Sequence, residues 1–531
     1  MNLGRASILL GAGTVVSRLT GFLRTVVLVS AIGATTEAGN AFAIANQLPN
    51  NIYAVIQAGL LTAVLVPQIV RAARHPDGGS AFVSKILTLG TLVLLGITAL
   101  AVVLAPWLVT LYAPEFPPHQ QALATAFAYW CMPQILFYGL YSLLGETLNA
   151  RRVFGPFTWA PIINNVVSIG GFAAFIALFG LTGAVENWTP TMVALLAGTA
   201  TLGIAIQAVI LVFFWKKTGL SVRPDFQWRG IGLRHIGRLA GWTFLMVIAG
   251  QLAGLVQSRI LSEVNREFAG VFVSQNAWLL FMLPYSIIAV SIGTPYFTQL
   301  SEHAAAGRHE ALRTDIATSL RTVGLFIVAA TAALAAAAVP ASRIFTNSAA
   351  EADDAALVLL CYLAGLLPLS VLFIVQRTFY IYNDTRTPFF FTLVQGALVV
   401  VTALIASWTL PVEFLAAGIA LGQSFAGIVQ MVLAIILLRR KLGGLRVLSW
   451  LPAFGRYVVA AIPAGLAGWA VFRLLGGEEG WTVSSELFGA LGAAVIGTAS
   501  LMVYLGVLAL LRAPELGPAL SMVKRFLPGQ R

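Results

Sequence analysis

Apolar segments long enough to cross a bilayer recur along this chain of 531 residues. A membrane-spanning helix needs about 20 predominantly apolar residues. Fourteen segments qualify, and they are numbered here in chain order: 6–33, 41–68, 84–112, 122–148, 157–181, 189–215, 236–260, 271–299, 316–339, 355–381, 388–409, 413–438, 452–474 and 485–511. A membrane β-barrel would show shorter segments of alternating polarity instead. The pattern therefore predicts an all-α integral membrane protein with about fourteen transmembrane helices.

The distribution of charge predicts the orientation of these segments. Only 10% of the residues are charged, against about 25% in soluble domains. If the N-terminus is cytoplasmic, 25 of the 32 Lys and Arg residues fall on the cytoplasmic side, four fall outside and three lie within apolar segments. This asymmetry follows the positive-inside rule. It predicts a multi-pass plasma-membrane protein with both termini in the cytoplasm, and it accounts for the basic composition without nucleic acid as a partner.

Short sequence matches recur at a spacing near 233 residues. The matched pairs are 18–28 with 251–261, 48–55 with 283–290, and 149–157 with 382–389. The repeat length corresponds to six helices, so both copies have the same orientation and form two pseudo-symmetric lobes, as in many transporters. We therefore predict an N-lobe at 1–225, a C-lobe at 226–445, and two further helices with a cytoplasmic tail at 446–531.

Segment 1 contains two arginines in apolar surroundings. Arg18 and Arg24 lie six residues apart, about 120° around an ideal helix, with Gly21 between them. Charges at membrane depth are costly and commonly functional, so we favour a cationic site for an anionic substrate. The alternative is a structural role, in which Arg18 snorkels to the interface or the arginines pair with other groups. Gln251 and Gln257 correspond to the two arginines in the repeat and would add neutral donors.

Two prolines and two further charges are candidates for structural or gating roles. Pro49 and Pro284 occupy equivalent places inside segments 2 and 8. An internal proline removes a backbone hydrogen bond and bends a helix, which is compatible with either a packing kink or a hinge. Arg377 and Glu146 lie near the cytoplasmic ends of segments 10 and 4, where an anchoring role at the membrane interface is the simpler interpretation.

Motifs for enzymatic chemistry are absent from the sequence. It contains no GxxxxGK[ST], no HExxH and no paired CxxC, and its five histidines fall in loops or at the ends of segments. These motifs would supply phosphate binding, zinc catalysis or redox chemistry. We therefore expect a transporter rather than an enzyme, with no cofactor and no metal site.

Three stretches of the sequence resemble the MurJ/MviN family of bacterial lipid II flippases. They are MNLGRASILLGAGTVVSRLTGFLRTVVL at the N-terminus, NQLPNNIYAVIQAGLLTAVLVPQI at 46–69 and RTFYIYNDTRTP at 377–388. The resemblance implies alternating-access transport of lipid II, an undecaprenyl-pyrophosphate-linked disaccharide-peptide, from the inner to the outer leaflet. It implies that Arg18 and Arg24 meet the pyrophosphate, with Asn50 and Tyr53 nearby, and that segments 13 and 14 form a groove for the lipid tail. Asp384 in the third stretch is expected to have a structural or gating role.

The family pattern is incomplete in this chain. Charged residues that are common in the family are replaced by Asn40, Tyr53, Trp278, Leu279 and Met282. Two alternatives therefore stand beside lipid II transport: export of another polyprenyl-pyrophosphate-linked glycan or amphiphile, and a non-transporting scaffold of the cell-wall assembly machinery. For a lipid II flippase, the expected partners are lipid II, membrane lipids and proteins of cell-wall synthesis or division.

Overall fold

The computed structural model describes residues 3–57, 77–151, 153, 155–227, 233–264 and 268–517. Several sequence features lie outside the described residues: 58–68 of segment 2, the basic run at 71–74, Arg152, part of the basic stretch at 215–238, Arg266, and the basic pair at 524–525. Every regular element in the described residues is helical, which confirms the all-α prediction.

Nineteen α-helices form the described part of the chain. They are α1 (Leu3–Ile32), α2 (Glu37–Ile56), α3 (Ser80–Val103), α4 (Ala105–Tyr112), α5 (Pro118–Cys131), α6 (Gln134–Ala150), α7 (Gly155–Phe179), α8 (Pro190–Phe213), α9 (Leu233–Leu261), α10 (Val271–Pro284), α11 (Ser291–Ala305), α12 (His309–Ala336), α13 (Ala338–Arg343), α14 (Ala349–Leu363), α15 (Leu366–Ile381), α16 (Arg386–Thr409), α17 (Leu415–Lys441), α18 (Val447–Leu474) and α19 (Glu486–Leu510). A π-helical turn, Tyr285–Val290, joins α10 to α11.

Twelve helical spans in the described residues are long and apolar enough to cross a membrane. They correspond to segments 3 to 14, so the predicted count of fourteen is not confirmed. Segments 1 and 2 form helices, α1 and α2, that are not among the twelve. The described part of segment 2, α2, has a low mean hydropathy because it is rich in asparagine.

Several predicted segments are interrupted, and the interruptions follow the internal repeat. The break at Leu104 between α3 and α4 recurs 233 residues later at Ala337. The break at 132–133 between α5 and α6 recurs 232 residues later at 364–365. A proline lies at each break or in the helical turn that follows it: Pro106, Pro133, Pro340 and Pro368. Since proline lacks an N–H donor and is tolerated in the first turn of a helix, it favours a new helix start at these places.

The chain divides into two compact units, Met1–Arg266 and Glu267–Arg531. Four helix pairings in the first unit have counterparts in the second. The first unit pairs α2 with α5, α3 with α6, α6 with α8 and α7 with α8, whereas the second pairs α10 with α14, α12 with α15, α15 with α17 and α16 with α17. The first unit includes α9, which packs against α2 and α4. The lobe boundaries predicted at 225 and 445 stay a prediction.

The last two helices, α18 and α19, are packed closely into the second unit. Gly324 of α12 lies so near Phe454 that a β-carbon there would come within 2.4 Å of the ring. The Tyr504 hydroxyl donates a hydrogen bond to the Leu325 carbonyl, 3.1 Å away. On α19, a β-carbon at Gly489 would meet the carbonyl oxygen of Pro340 at 2.7 Å. Gly489 of α19 therefore serves helix packing.

Candidate functional site

Arg24 lies on α1 in the first unit, and its side chain is half-buried. No carboxylate in the described residues forms an ion pair with it. Its neighbour within electrostatic range is Tyr138 on α6. A guanidinium carries five N–H donors, and one without a carboxylate partner can bind an anion.

The face of α6 next to Arg24 carries polar groups at a regular spacing. Tyr138, Ser142 and Glu146 follow one another at intervals of four residues, so they lie on one side of the helix. The ring of Tyr53 from α2 stacks on Tyr138, with ring centroids 5.4 Å apart and planes 29° apart. The hydroxyl of Tyr53 interacts with Ser142, and its ring lies within electrostatic range of Glu146.

Asn50 completes this group, which we call the Arg24 cluster: Arg24, Asn50, Tyr53, Tyr138, Ser142 and Glu146. The Asn50 side chain is exposed and interacts with the hydroxyl of Tyr138. Three other polar residues of α2 are occupied in contacts within the first unit. These pairs are Asn46 with Gln134 at 3.4 Å, Gln47 with Ser258 at 3.2 Å and Asn51 with Tyr112 at 3.2 Å. Thus α2 contributes Asn50 and Tyr53 to the cluster while its other amides support the fold.

Arg18 and Gly21 have different surroundings from Arg24. The side chain of Arg18 is exposed. Gly21 faces Asn165 of α7, and a β-carbon at Gly21 would meet the Asn165 amide at an ordinary contact distance of 3.5 Å. Asn165 donates hydrogen bonds to the Ser17 carbonyl at 3.1 Å and to the Thr20 hydroxyl at 2.9 Å. These contacts hold α1 against α7. They thereby fix the position of α1 along and around its own axis, and with it the direction in which Arg24 projects.

The predicted contributors from segment 7 lie on α9. Gln251 and Gln257 are both half-buried. A hydrogen bond from Gln47 to Ser258, beside Gln257, joins α2 to α9. The proposed role of the two glutamines as neutral donors stays a prediction.

The two internal prolines have different structural consequences. Pro49 lies inside α2, which continues to Ile56. Pro284 ends α10, and the π-helical turn Tyr285–Val290 follows it. Because a π-helical turn leaves the regular hydrogen-bond ladder, it provides a local point at which a helix can change direction. A π-helical turn thus follows Pro284 directly, whereas α2 continues as far as Ile56 beyond Pro49. The hinge or packing roles of the two prolines stay predictions.

Arg377 lies in aromatic surroundings in the second unit. Its guanidinium carbon is 4.2 Å from the ring centroid of Phe373 and 5.3 Å from that of Phe297 on α11. Tyr285, in the π-helical turn, packs edge-on against Phe373 at 5.9 Å. Cation–π contacts of this kind stabilise a cation without a carboxylate. Arg377 thus connects α15 to the region of the Pro284 break.

Asp384 has a structural environment in the loop after α15. Its carboxylate accepts hydrogen bonds from the Lys441 ammonium at 2.6 Å, the Thr387 backbone at 3.0 Å and the Thr387 hydroxyl at 2.9 Å. Burial alone would raise the pKa of the Asp384 carboxyl, but the hydrogen bonds from Lys441 and Thr387 outweigh burial and hold its pKa below the usual range. Asp384 therefore ties the loop to the end of α17.

Aromatic packing surrounds one of the positions where the family commonly has a charge. In the second unit, Trp278 packs against Phe281 and Tyr362, with ring centroids 4.8 and 5.3 Å apart. In the first unit, Asn40 is buried. Within α2, Glu37 in the first turn is the one charged residue.

Sequence reasoning missed Tyr138, Ser142 and Asn165. The spacing of Tyr138, Ser142 and Glu146 was a visible signal, since polar residues at intervals of four mark one face of a helix. The contact of Asn165 with α1 had no local signal, because 145 positions separate it from Thr20.

Similarity to known proteins extends over most of the chain. The family model described as "Lipid II flippase MurJ" matches residues 28–509. A probable lipid II flippase MurJ from Synechocystis is 24% identical over 514 residues, covering 94% of this chain and 93% of the relative. One from Buchnera aphidicola is 27% identical over 312 residues, or 58% of each chain. Arg18 and Arg24 precede the residues that the family model matches.

Solved structures share the fold. A lipid II flippase MurJ in an inward closed conformation superposes with a TM-score of 0.72 at 18% identity, covering 92% of this chain and 98% of that chain. An inward-facing multidrug resistance transporter of the MATE family superposes with a TM-score of 0.67 at 16% identity, covering 80% and 94%. Because the sequence identities are this low, the two structural similarities establish the fold but not a shared function.

Proposed function

Because the chain belongs to the MurJ family of lipid II flippases, we propose that its Arg24 cluster binds the pyrophosphate of lipid II during transport. The protein is a membrane transporter of lipid II rather than an enzyme. Its cargo is a lipid-linked precursor of peptidoglycan, which places the protein in cell-wall synthesis.

One observation carries the assignment of the site: Arg24 has no carboxylate partner among the described residues and lies within electrostatic range of the Tyr138 hydroxyl. A pyrophosphate cannot enter hydrocarbon without compensation, because burying unpaired charge is very costly. Arginine matches phosphate oxygens through paired N–H donors. Tyr138 lies within electrostatic range of Arg24, and Asn50 interacts with Tyr138, so both offer neutral donors to the cluster. The cluster can therefore replace part of the hydration of an anion.

The same cluster favours release of the cargo. One half-buried arginine with neutral donors binds an anion less tightly than several converging cations would. Glu146, two helical turns from Tyr138 on the same face of α6, places a negative charge beyond the donors. We infer that this gradient of charge along α6 limits how far the pyrophosphate moves in that direction.

Alternating access is the transport mechanism that fits this fold. Structures of similar fold include MATE transporters in inward-facing and outward-facing conformations. We propose that the π-helical turn after Pro284 is a point of bending in the second unit, with Arg377 of α15 contacting Phe297 of α11 beyond the turn.

We propose that the lipid tail lies along the outer face of α18. Val458, Ile462 and Leu466 are exposed there at intervals of four residues, so they form a continuous apolar strip on one side of the helix. Gly489 and Gly492 of α19 are buried in packing contacts and do not provide this surface.

We propose that the N-terminus and the loop after α8 are cytoplasmic, and we predict the outcome of cysteine labelling. In a variant with Cys131 and Cys361 replaced by alanine, Asp353→Cys should react with a membrane-impermeant maleimide in intact cells. Gln227→Cys should react only after the cells are opened. Both positions are exposed, so a lack of labelling reflects the membrane barrier. The reverse pattern would overturn the orientation.

Complementation tests transport of lipid II directly. Expression of the chain in bacteria depleted of their own lipid II flippase should restore growth and bring labelled lipid II to the outer leaflet. A matched strain carrying the empty vector defines the background. Restored growth without movement of labelled lipid II would contradict transport and support the scaffold alternative.

A further inference from the structure

Three side chains from separate segments meet at one end of the first unit. They are Glu37 in the first turn of α2, His119 in the first turn of α5, and Glu186 in a 3-10 turn between α7 and α8. One ligand atom from each lies within 4.8 Å of the other two. We propose that these residues form a binding site for one divalent transition-metal ion, with zinc as the ion that fits best.

The separation of the His119 and Glu37 donor atoms suits a tetrahedral metal ion, and a Glu186 carboxylate oxygen lies within 4.8 Å of both. The His119 Nε2 and Glu37 Oε2 atoms are 3.4 Å apart. With metal–ligand bonds of about 2.0 to 2.2 Å, two ligands of a tetrahedral zinc ion lie roughly 3.4 Å apart. One imidazole and two carboxylates are ligands that zinc accepts, and their two negative charges balance a divalent cation. A fourth position would remain for water.

Hydrogen bonds hold the three segments together independently of the proposed ligand side chains. The Gln120 side chain donates a hydrogen bond to the Glu37 carbonyl at 3.1 Å. The backbone N–H of Ala38 donates to the Gly183 carbonyl at 3.4 Å. A β-carbon at Gly183 would come within 2.5 Å of Thr36, so a glycine permits this close approach. The site therefore has a fixed framework before any ion binds.

Aromatic packing fixes the segment that carries Glu186. Trp188, two residues further along, packs edge-on against Phe127 of α5 at 5.0 Å and stacks on Phe175 of α7 at 5.4 Å. These contacts limit movement of the 3-10 turn. The side chains of His119 and Glu186 are exposed while Glu37 is half-buried, so an ion can reach the site from solvent.

The proposed ion would cross-link α2, α5 and the segment between α7 and α8, because each of them supplies one ligand. In the orientation that we propose for the chain, this end of the unit lies outside the cytoplasm. Metal binding there would stabilise the first unit, because an ion that binds only the folded state shifts the unfolding equilibrium. No sequence motif marks this site, since 149 positions separate Glu37 from Glu186.

Calorimetry on the purified full chain, prepared without a polyhistidine tag, tests the proposal with ZnCl₂ as the probe. We expect one zinc ion per chain, and binding weakened by at least about tenfold in His119→Gln and Glu186→Gln. Zinc should also raise the melting temperature of the unmodified chain but not that of either variant. Glu186 is exposed, so its replacement should leave the fold intact.

His303→Gln is the matched control. His303 also faces a carboxylate, with its Nε2 atom 3.0 Å from Asp315, but it does not belong to a three-ligand group among the described residues. Its replacement should leave zinc binding unchanged. The proposed site would be overturned if the unmodified chain did not bind one zinc ion. It would also be overturned if the His119→Gln and Glu186→Gln variants bound zinc as tightly as the unmodified chain. Loss of binding in His303→Gln with retention in His119→Gln would do the same.

Discussion

Replacement of Arg24 with alanine should reduce transport of lipid II by about tenfold to a hundredfold. A hydrogen bond to a charged group contributes roughly 1.5 to 3 kcal/mol, and no other arginine belongs to the cluster around Tyr138 and Asn50 in the described residues. The protein should still be made and inserted. Arg24 forms no ion pair with a carboxylate in the described residues, so its replacement leaves no carboxylate unpaired in the membrane. The measurement is movement of labelled lipid II at matched protein levels.

Two variants of the same helix separate charge from structure. Leu23→Ala, at an exposed neighbouring position, should transport normally and controls for changes in α1. Arg24→Lys should be partly active, because lysine supplies the charge without the paired donors of a guanidinium. Arg18→Ala is expected to have a smaller effect than Arg24→Ala, since Arg18 is exposed. Full activity of an Arg18→Ala/Arg24→Ala double variant would remove the basis of the proposed pyrophosphate site.

Replacement of Arg343 with alanine should destabilise the second unit by about 2 to 4 kcal/mol, because buried carbonyl groups would lose their donors. Arg343 is only 7% exposed. Its Nε atom donates to the Val483 carbonyl at 2.9 Å, and its Nη1 atom donates to the Thr346 carbonyl. It therefore joins the end of α13 to the link between α18 and α19. A lower melting temperature in detergent is the expected result.

Arg473→Ala is the control for this prediction. Arg473 is exposed, and its guanidinium contacts the ring of Trp469 at 5.9 Å. Exposed cation–π contacts contribute about 0.5 to 1 kcal/mol, so its replacement should change the melting temperature little. An Arg343→Ala variant as stable as the unmodified chain would show that the two carbonyls find other donors.

The apolar segments were predictable because hydropathy and length report burial in a membrane, residue by residue. Hydropathy did not reveal the helix breaks, because apolar residues continue across them. Prolines such as Pro106 and Pro340 marked the breaks in the sequence. However, Pro49 lies within an uninterrupted helix. A proline alone therefore does not decide between a kink and a new helix, because neighbouring contacts determine whether the chain can continue.

The candidate site was only partly predictable. Arg24 stood out because a charge in an apolar segment requires an explanation. Asn50 and Tyr53 came from resemblance to a family, whereas Tyr138 emerged only when α1, α2 and α6 were placed side by side. Its hydroxyl and ring meet Asn50 and Tyr53 through contacts between helices. Such contacts depend on the rotation and height of each helix, which local patterns do not specify.

The sequence by itself determined that the protein is a helical membrane transporter with an internal repeat, and it indicated the family. These properties follow from local hydropathy and from short motifs. The tertiary structure decided which polar groups share a site. It placed Arg24 beside Tyr138, and it brought Glu37, His119 and Glu186 within 4.8 Å of one another. The physical reason is that packing, together with the need to satisfy buried donors and acceptors, sets the distances between groups far apart in the chain.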